Sequence, residues 1–406
     1  MTYQDKRLET RPKSGEAPFH LDEVFFSRTD DRGVISSGNY VFHRVAGYDW
    51  AEMLGAPHKI IRHPDMPKAV FWLLWDTLKR GEAVGAYVKN RAKDGLYYWV
   101  FAVVVPCEGG YLSARIKPTS ATRDLIEKEY ATLLKAEAEG ALSPKASAQL
   151  LLGRLNTLGF SSYNLFATYA LGEELIARGK GLNKAPDQAI AKFRKMLSSA
   201  ESLGEETAAL IQEFEAMRTI PHNLRVIASR LEPTGGPVST LSKNYGIMSQ
   251  DMSDWFESHV VGPDSNFSTI KSSVNDSMFL ECMARILISC DKQLTFERRK
   301  LGEIDLEAER AILKKTVAKY VAESNAGLRN VGEEADRILR ACNKMNRHVL
   351  GLSTTRVMCK IESARLTDTG DGLTDIISQL MVFQERISQQ LDRIAQLSGS
   401  ILTAVA

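Results

Sequence analysis

An α+β domain followed by a long, mostly helical region is the organisation this sequence predicts, and three observations predict it. Four of the five tryptophans (Trp50, Trp72, Trp75 and Trp99) fall before residue 120. Short β-rich runs bounded by glycines concentrate in the same stretch. Beyond it the composition turns to Ala, Leu, Glu, Lys, Arg, Ser and Gln, with apolar residues recurring at steps of three and four. At 406 residues the chain also exceeds one ordinary domain.

In the first part, Arg32 to Ser36 reads as a short strand after a turn. Met66-Pro67 then opens a helix over Lys68 to Arg80, in which Val70, Phe71, Leu74, Trp75 and Leu78 share a face and which Gly81 stops. Two strands follow, Ala86 to Arg91 and Tyr97 to Pro106, joined through Lys93-Asp94-Gly95, a good hairpin signal. A last strand runs from Gly110 to Lys117. A strand, small helices, one longer helix and a three-strand antiparallel meander describe a small sheet with helices on one face, able to enclose a ligand between them.

The second part opens with an amphipathic helix, Thr122 to Glu139, leaving the first domain, and a joint at Gly140 to Pro144. Ser143-Pro144 starts a helix through Leu155, and Ala185-Pro186-Asp187 starts another. Further on, Val317, Val321, Leu328, Val331, Ala335, Ile338, Cys342, Met345, Val349 and Leu352 follow a heptad rhythm, with Ser324 the polar exception. They predict one helix from about Lys292 to Leu366, on the order of 110 Å at 1.5 Å per residue.

The same rhythm occurs earlier at Leu203, Thr207, Leu210, Phe214 and Met217, and a shift of 135 carries these onto Ile338, Cys342, Met345, Val349 and Leu352. That shift also superimposes Arg230-Leu231 on Arg365-Leu366 and Thr234-Gly235 on Thr369-Gly370. Val238, Leu241, Tyr245, Met248 and Met252 land on Leu373, Ile376, Leu380, Phe383 and Ile387. A duplicated helix–joint–helix unit forming a pseudo-symmetric bundle is the expectation. The domain boundaries read from the sequence are a tail over 1–18, a sensor domain over 19–120 and connecting helices over 121–200. The first repeat copy covers 201–260 and a connector 261–291; the long helix and second copy cover 292–406.

Charge and composition exclude several function classes. Lys plus Arg number 52 against 50 Asp plus Glu, a net charge of +2, which argues against a nucleic-acid binder. Five cysteines (Cys107, Cys282, Cys290, Cys342 and Cys359) form neither a disulfide framework nor a zinc pattern, and fit a reducing cytosol. Met1 to Pro18 lacks the apolar core of a signal peptide. Tyr97 to Cys107 is the longest apolar run, about half of the ~20 residues a membrane helix needs. A cytoplasmic protein without a membrane span is expected. No Gly-rich phosphate loop, metal-ligand cluster, nucleophile elbow or kinase core is present, so catalysis is not expected. His222, His259 and His348 read as surface or core residues rather than phosphoacceptors.

Residues 19–120 carry an unusual text: Ala46-Gly47-Tyr48, then Ile61-Arg62-His63-Pro64-Asp65-Met66-Pro67-Lys68-Ala69, then Val88-Lys89-Asn90-Arg91, and Lys93-Asp94-Gly95 with Tyr98-Trp99-Val100. This resembles a PAS domain of the aerotaxis-receptor type. The resemblance implies a pocket holding FAD non-covalently, whose redox state reports oxygen or electron-transport status. It implies flavin contacts from Asn39, Arg62, His63, Asp65, Phe71 and Asn90. Amide groups suit an isoalloxazine edge, a flat apolar ring suits its face, and Arg62 suits a pyrophosphate. Val84 stands where the family carries a tryptophan, which leaves FAD, haem bound through His63, or no ligand open. Asp65 has a purely local alternative, capping the helix that begins after Pro67.

Lys360 to Leu366, followed by Thr369-Gly370-Asp371-Gly372, is similar to the signalling tip of chemoreceptors. The asparagine-rich lead-in of that tip is absent, and Pro233 and Pro237 interrupt the first copy. The expected function is a cytoplasmic redox or oxygen sensor, homodimeric, signalling through its helical bundle to a chemotaxis kinase and coupling protein. The alternative is a cofactor-free PAS adaptor that assembles partners.

Overall fold

A computed structural model describes residues 10–217, 220–231, 236–256, 266–297, 304–365 and 370–406. Within it the first domain is a five-stranded antiparallel sheet, not four strands. The strands are β1 (Phe25–Thr29), β2 (Ile35–Gly38), β3 (Val84–Arg91), β4 (Tyr97–Cys107) and β5 (Gly110–Ile116), in the order β2-β1-β5-β4-β3. The strand that sequence reasoning passed over is β1, a central one, pairing Phe25 with Arg115 and Thr29 with Tyr111. Its segment Val24-Phe25-Phe26 is a short, fully buried apolar run, without the alternation that marks a half-exposed strand.

The hairpin forms as the Asp-Gly pair predicts. Gly95 lies at φ +91°, where an L side chain would be strained, and β3 pairs with β4 from Val84–Val104 to Arg91–Tyr97. Between the edge strands run the short helices α1 (Tyr40–Ala46) and α2 (Trp50–Met53), a 3₁₀ turn (His58–Ile61), and α3 (Lys68–Lys79). Pro67 stands at the N-cap of α3 and Gly81, at φ +81°, follows its end.

Helices cover both faces of the sheet, where one face was expected. On one side, Ser27, Val88, Asn90, Ala102, Ser113 and Arg115 line a cavity beneath α3. On the other, α4 (Ala121–Gly140) does not lead away from the domain: Tyr130 donates to the Tyr87 carbonyl and stacks near Trp99. After α5 (Pro144–Thr157), α6 (Tyr163–Gly181) places Glu174 beside Tyr87. Two later helices, α10 (Asn266–Glu297) and α11 (Leu306–Arg365), add Phe279 near Gly85 and Glu309 against Arg28. Strand β4 is buried on both faces, which is why it reads as an unbroken apolar run. The segment taken as a tail also joins this domain: Ala17 donates to the Tyr97 carbonyl at 2.7 Å, and Arg11 pairs with Asp94 at 2.6 Å.

By contacts the chain forms two compact units, Met1–Ile190 with Asn275–Asn325, and Ala191–Val274 with Ala326–Ala406. The single helix expected from Lys292 is corrected. Helix α10 ends at Glu297 and α11 begins at Leu306, with the Asp305 side chain accepting from Ala308 N. At its start the α11 stripe is also displaced by one residue. Thr316 and Tyr320 are buried beside half-buried Val317 and Val321, and Ser324 is buried with its hydroxyl donating to the Ser277 carbonyl.

The second unit contains α7 (Gln188–Met217), α8 (Ile220–Leu231), α9 (Pro237–Phe256), α12 (Gly370–Val405) and the later part of α11. Where both members of a repeat pair are described, burial agrees. Leu203 and Ile338, Thr207 and Cys342, Leu210 and Met345, Phe214 and Val349, and Tyr245 and Leu380 are all buried. Helix–helix seams built from heptads require this. The joints themselves, with Pro233, Thr234, Gly235, Leu366 and Thr369, and also His259, lie outside the described residues. No described helix is long and apolar enough to cross a membrane.

Candidate functional site

A cavity of about 330 Å³ lies between the sheet and α3, within the ~300–1,000 Å³ range of ligand sites. Its walls come from distant parts of the sequence. Helix α3 supplies Phe71, Leu74 and Trp75; β3 and β4 supply Val88, Asn90, Ala102 and Val104; β1 and β5 supply Ser27, Thr29, Tyr111, Ser113 and Arg115. Inward residues on β5 are Tyr111, Ser113 and Arg115, at the spacing of two that a strand imposes.

The buried end is polar. Arg115, 3 % exposed, directs Nη2 to Ser27 Oγ and to His58 Nε2, each at 2.6 Å. For Nε2 to accept, the His58 ring proton must sit on Nδ1. Burial and the Arg115 charge push the His58 pKa well below its ordinary value, so the ring stays neutral. The ring is also stacked on Phe42, with centroids 5.8 Å apart. Burial pulls Arg115 down to about 10, which leaves it charged at neutral pH.

Three atoms of this wall have no protein partner: Asn90 Nδ2, Ser113 Oγ and Arg115 Nη1. Their residues are 3 %, 7 % and 3 % exposed. Buried polar atoms are nearly always paired, so these three leave hydrogen-bonding capacity on one cavity wall that a polar group could take up. At the rim, the Arg62 guanidinium carbon lies 3.5 Å over the Phe71 ring, and Trp75 meets Tyr111 edge-on at 5.4 Å.

Of the six residues that sequence reasoning nominated, the structure gathers Arg62, Phe71 and Asn90 around the cavity. The other three stand elsewhere. Asn39 is the N-cap of α1: its carbonyl oxygen accepts from Phe42 N and Phe26 N, and its amide donates to the Val24 carbonyl. Asp65 neither faces the cavity nor caps α3; its exposed carboxylate pairs with Lys89 at 2.6 Å. His63 turns Nδ1 to the Asp65 backbone N–H at 3.1 Å and lies outside the cavity lining. The turn His63-Pro64-Asp65-Met66, closed by Met66 N–H donating to the His63 carbonyl at 3.2 Å, sets these two residues beside Lys89 of β3. Val84 is buried in β3, paired with the lining residue Val104 but not itself lining the cavity, and the indole on the wall is that of Trp75.

Sequence reasoning missed Ser27, His58, Ser113 and Arg115. One signal was present: Ser113 and Arg115 are polar residues two apart inside an otherwise apolar strand, the pattern of a strand lining a polar hole. Among the described residues, no cluster of His, Cys, Asp and Glu could hold a metal.

Residues 37–111 match the family described as PAS fold. The sheet order and the α3-covered cavity are that fold, so the first domain of this chain is a PAS domain. Its similarity is to the aerotaxis receptor of Escherichia coli (strain K12), at 43% identity over 121 residues. The match covers 29% of this chain and 24% of the receptor, so this chain spans about a quarter of the length of that relative. A solved structure described as "Flavin Analogue Sheds Light on Light-Oxygen-Voltage Domain Mechanism" aligns at 22% identity and a TM-score of 0.22. That alignment covers 29% of this chain and 86% of its own.

Proposed function

We propose that this protein is a cytoplasmic signal-transduction sensor whose PAS cavity holds a flavin, FAD by similarity to the aerotaxis receptor, and whose helical region carries the signal. The observation that supports it is the set of unpartnered donors, Asn90 Nδ2, Ser113 Oγ and Arg115 Nη1, on a wall flanked by aromatic rings. Those donors suit the carbonyl and ring-nitrogen edge of an isoalloxazine, and Phe71 and Trp75 suit its faces. Arg62, exposed at the rim, suits a phosphate outside the cavity. Bound there, a flavin would supply reversible electron uptake. The chain's own residues orient the ring edge, keep water from it and fix the charge around it.

Haem has less support. The cavity histidine, His58, already accepts from Arg115 through Nε2, and His63 is not on the wall.

Transmission in this reading begins at the second face of the sheet. Arg28 of β1 grips Glu309 of α11 through both carboxylate oxygens, and Tyr87 of β3 donates to Glu174 of α6. A ligand change signals only if it favours one helix arrangement over another. A second copy of the chain and a chemotaxis kinase with its coupling protein are the partners of this reading.

The test is the absorbance spectrum of the purified full chain, with chromatography of the released cofactor. Flavin bands and released FAD are the expected result. A Soret band, or a spectrum of protein alone after incubation with FAD, overturns the flavin assignment.

A further inference from the structure

The cavity is charged in one sense only. Arg32, Lys59, Arg62 and Arg115 line it, and no aspartate or glutamate does. Three of these cations are exposed at the rim, where Arg32 is also paired with Asp30. Arg115 differs. It is buried, no carboxylate among the described residues pairs with it, and one of its two terminal nitrogens has no partner at all. Burying a charge without a counter-charge is costly, and proteins keep such an arrangement where something else supplies the opposite sign.

His58 and Ser27 cannot supply it. Both are neutral acceptors for Nη2, and they fix the guanidinium plane so that Nη1 is the nitrogen left over. Cys290, on α10 behind β1, has its thiol pushed well up by burial and donates to the Phe25 carbonyl, so it is no anion either. Tyr98 is likewise held in its protonated form by burial.

We propose that Arg115 is the specificity-determining residue of the cavity: through Nη1 it selects a planar ligand that carries a negative charge on its buried edge, or gains one on taking up electrons. His58 acts through Arg115 as a positioning residue. This deepens the flavin reading and rests on the same cavity, but it concerns charge, not the identity of the ring. For a redox ligand the consequence is directional. Arg115 holds the electron-rich form more tightly than the oxidised one and so raises the midpoint potential.

Two measurements on the full chain separate this inference from the flavin reading. The first uses a pair of similar aromatic probes, anionic anilinonaphthalene sulfonate and neutral N-phenylnaphthylamine, followed by energy transfer from the protein's tryptophans, among which Trp75 stands on the cavity wall. The titration is done in high salt, which screens the rim cations far more than a buried one. The wild type is expected to prefer the anion at least tenfold, Arg115→Gln to lose that preference, and Arg115→Lys to retain part of it. The second compares flavin-loaded wild type with Arg115→Gln by spectroelectrochemistry. A tenfold loss of preference for the reduced form lowers a two-electron midpoint by about 30 mV.

Failure of the wild type to take up flavin sinks the flavin reading and leaves the probe pair to decide Arg115. Equal binding of both probes by the wild type overturns the Arg115 inference even if Arg115→Gln does not fold. An unchanged potential together with an unchanged probe preference in a folded Arg115→Gln protein also overturns it, with the flavin reading intact.

Discussion

The Glu297 carboxylate accepts the backbone N–H of Tyr40 at 2.8 Å, so the last residue of α10 satisfies the first N–H of α1, more than 250 positions earlier. Helix α1 thus has two caps, its own Asn39 at Phe42 N and Glu297 at Tyr40 N. The arrangement ties a residue that the sequence assigns to the long helix from Lys292 to the wall of the PAS domain.

That carboxylate sets a pH dependence. Burial is the dominant cause that raises its pKa to about 7, opposed by bonds from Gln293, Tyr40 and Val41. The unfolded value is about 4.3. Because the folded form holds a proton the unfolded form has lost, stability is highest below about pH 4.3 and declines as pH rises toward 7, by about 3 kcal/mol. Glu297→Gln keeps an acceptor for Tyr40 and removes the titration. Amide exchange at Tyr40, measured at pH 5 and 8, should accelerate with pH in the wild type beyond its intrinsic rate and not in the variant. Parallel profiles would remove Glu297 from this role.

Glu174 is a stronger structural joint. Fully buried on α6, it accepts from Tyr87 Oη at 2.7 Å, Thr119 N at 2.6 Å, Ser120 N at 3.1 Å and Ser120 Oγ at 2.6 Å. Replacing it with alanine strands four donors, two of them at the start of α4. Urea unfolding of Glu174→Ala should show a loss of about 3–5 kcal/mol, with Gln recovering part of it. A loss under about 1 kcal/mol would mean that water replaces the carboxylate.

Asn90 should show a conflict between stability and binding. Its amide nitrogen has no partner, so Asn90→Leu removes a buried unsatisfied donor and should stabilise the ligand-free protein by about 1 kcal/mol. If the cavity holds the proposed flavin, the same change should cost the purified protein most of it. Thermal melting and cofactor content, read on one preparation, check both halves. Retained flavin would place the ligand edge elsewhere on the wall.

Two turn glycines should respond unequally. A Cβ on Gly110, at φ +137°, would lie 2.1 Å from the Thr29 carbonyl oxygen, between β5 and β1. Gly95 has a positive φ of +91° but open space around it. Gly110→Ala should destabilise by several kcal/mol and Gly95→Ala by about 1 kcal/mol. Similar losses in melting experiments would contradict the register of β1 against β5.

The features legible in the amino-acid sequence are local ones. The Asp94-Gly95 hairpin, the opening of α3 after Met66-Pro67 and the buried heptad positions from Val331 to Val349 follow from turn chemistry and periodicity within a few residues of each other. The resemblance carried by the Arg62 to Ala69 text also reached the correct fold, and Arg62, Phe71 and Asn90 of the six residues it nominated line the cavity. The remaining features depend on how distant segments pack. Whether an inward strand residue meets a helix or a hole depends on the element opposite, so Ser113 and Arg115 became a cavity wall only once α3 stood above them. Burial of the second sheet face by α4, α6, α10 and α11 depends on pairings across up to about 280 residues, such as Arg28 with Glu309. No local pattern encodes which distant amphipathic helix wins that surface, because the hydrophobic effect that drives the choice has no direction of its own.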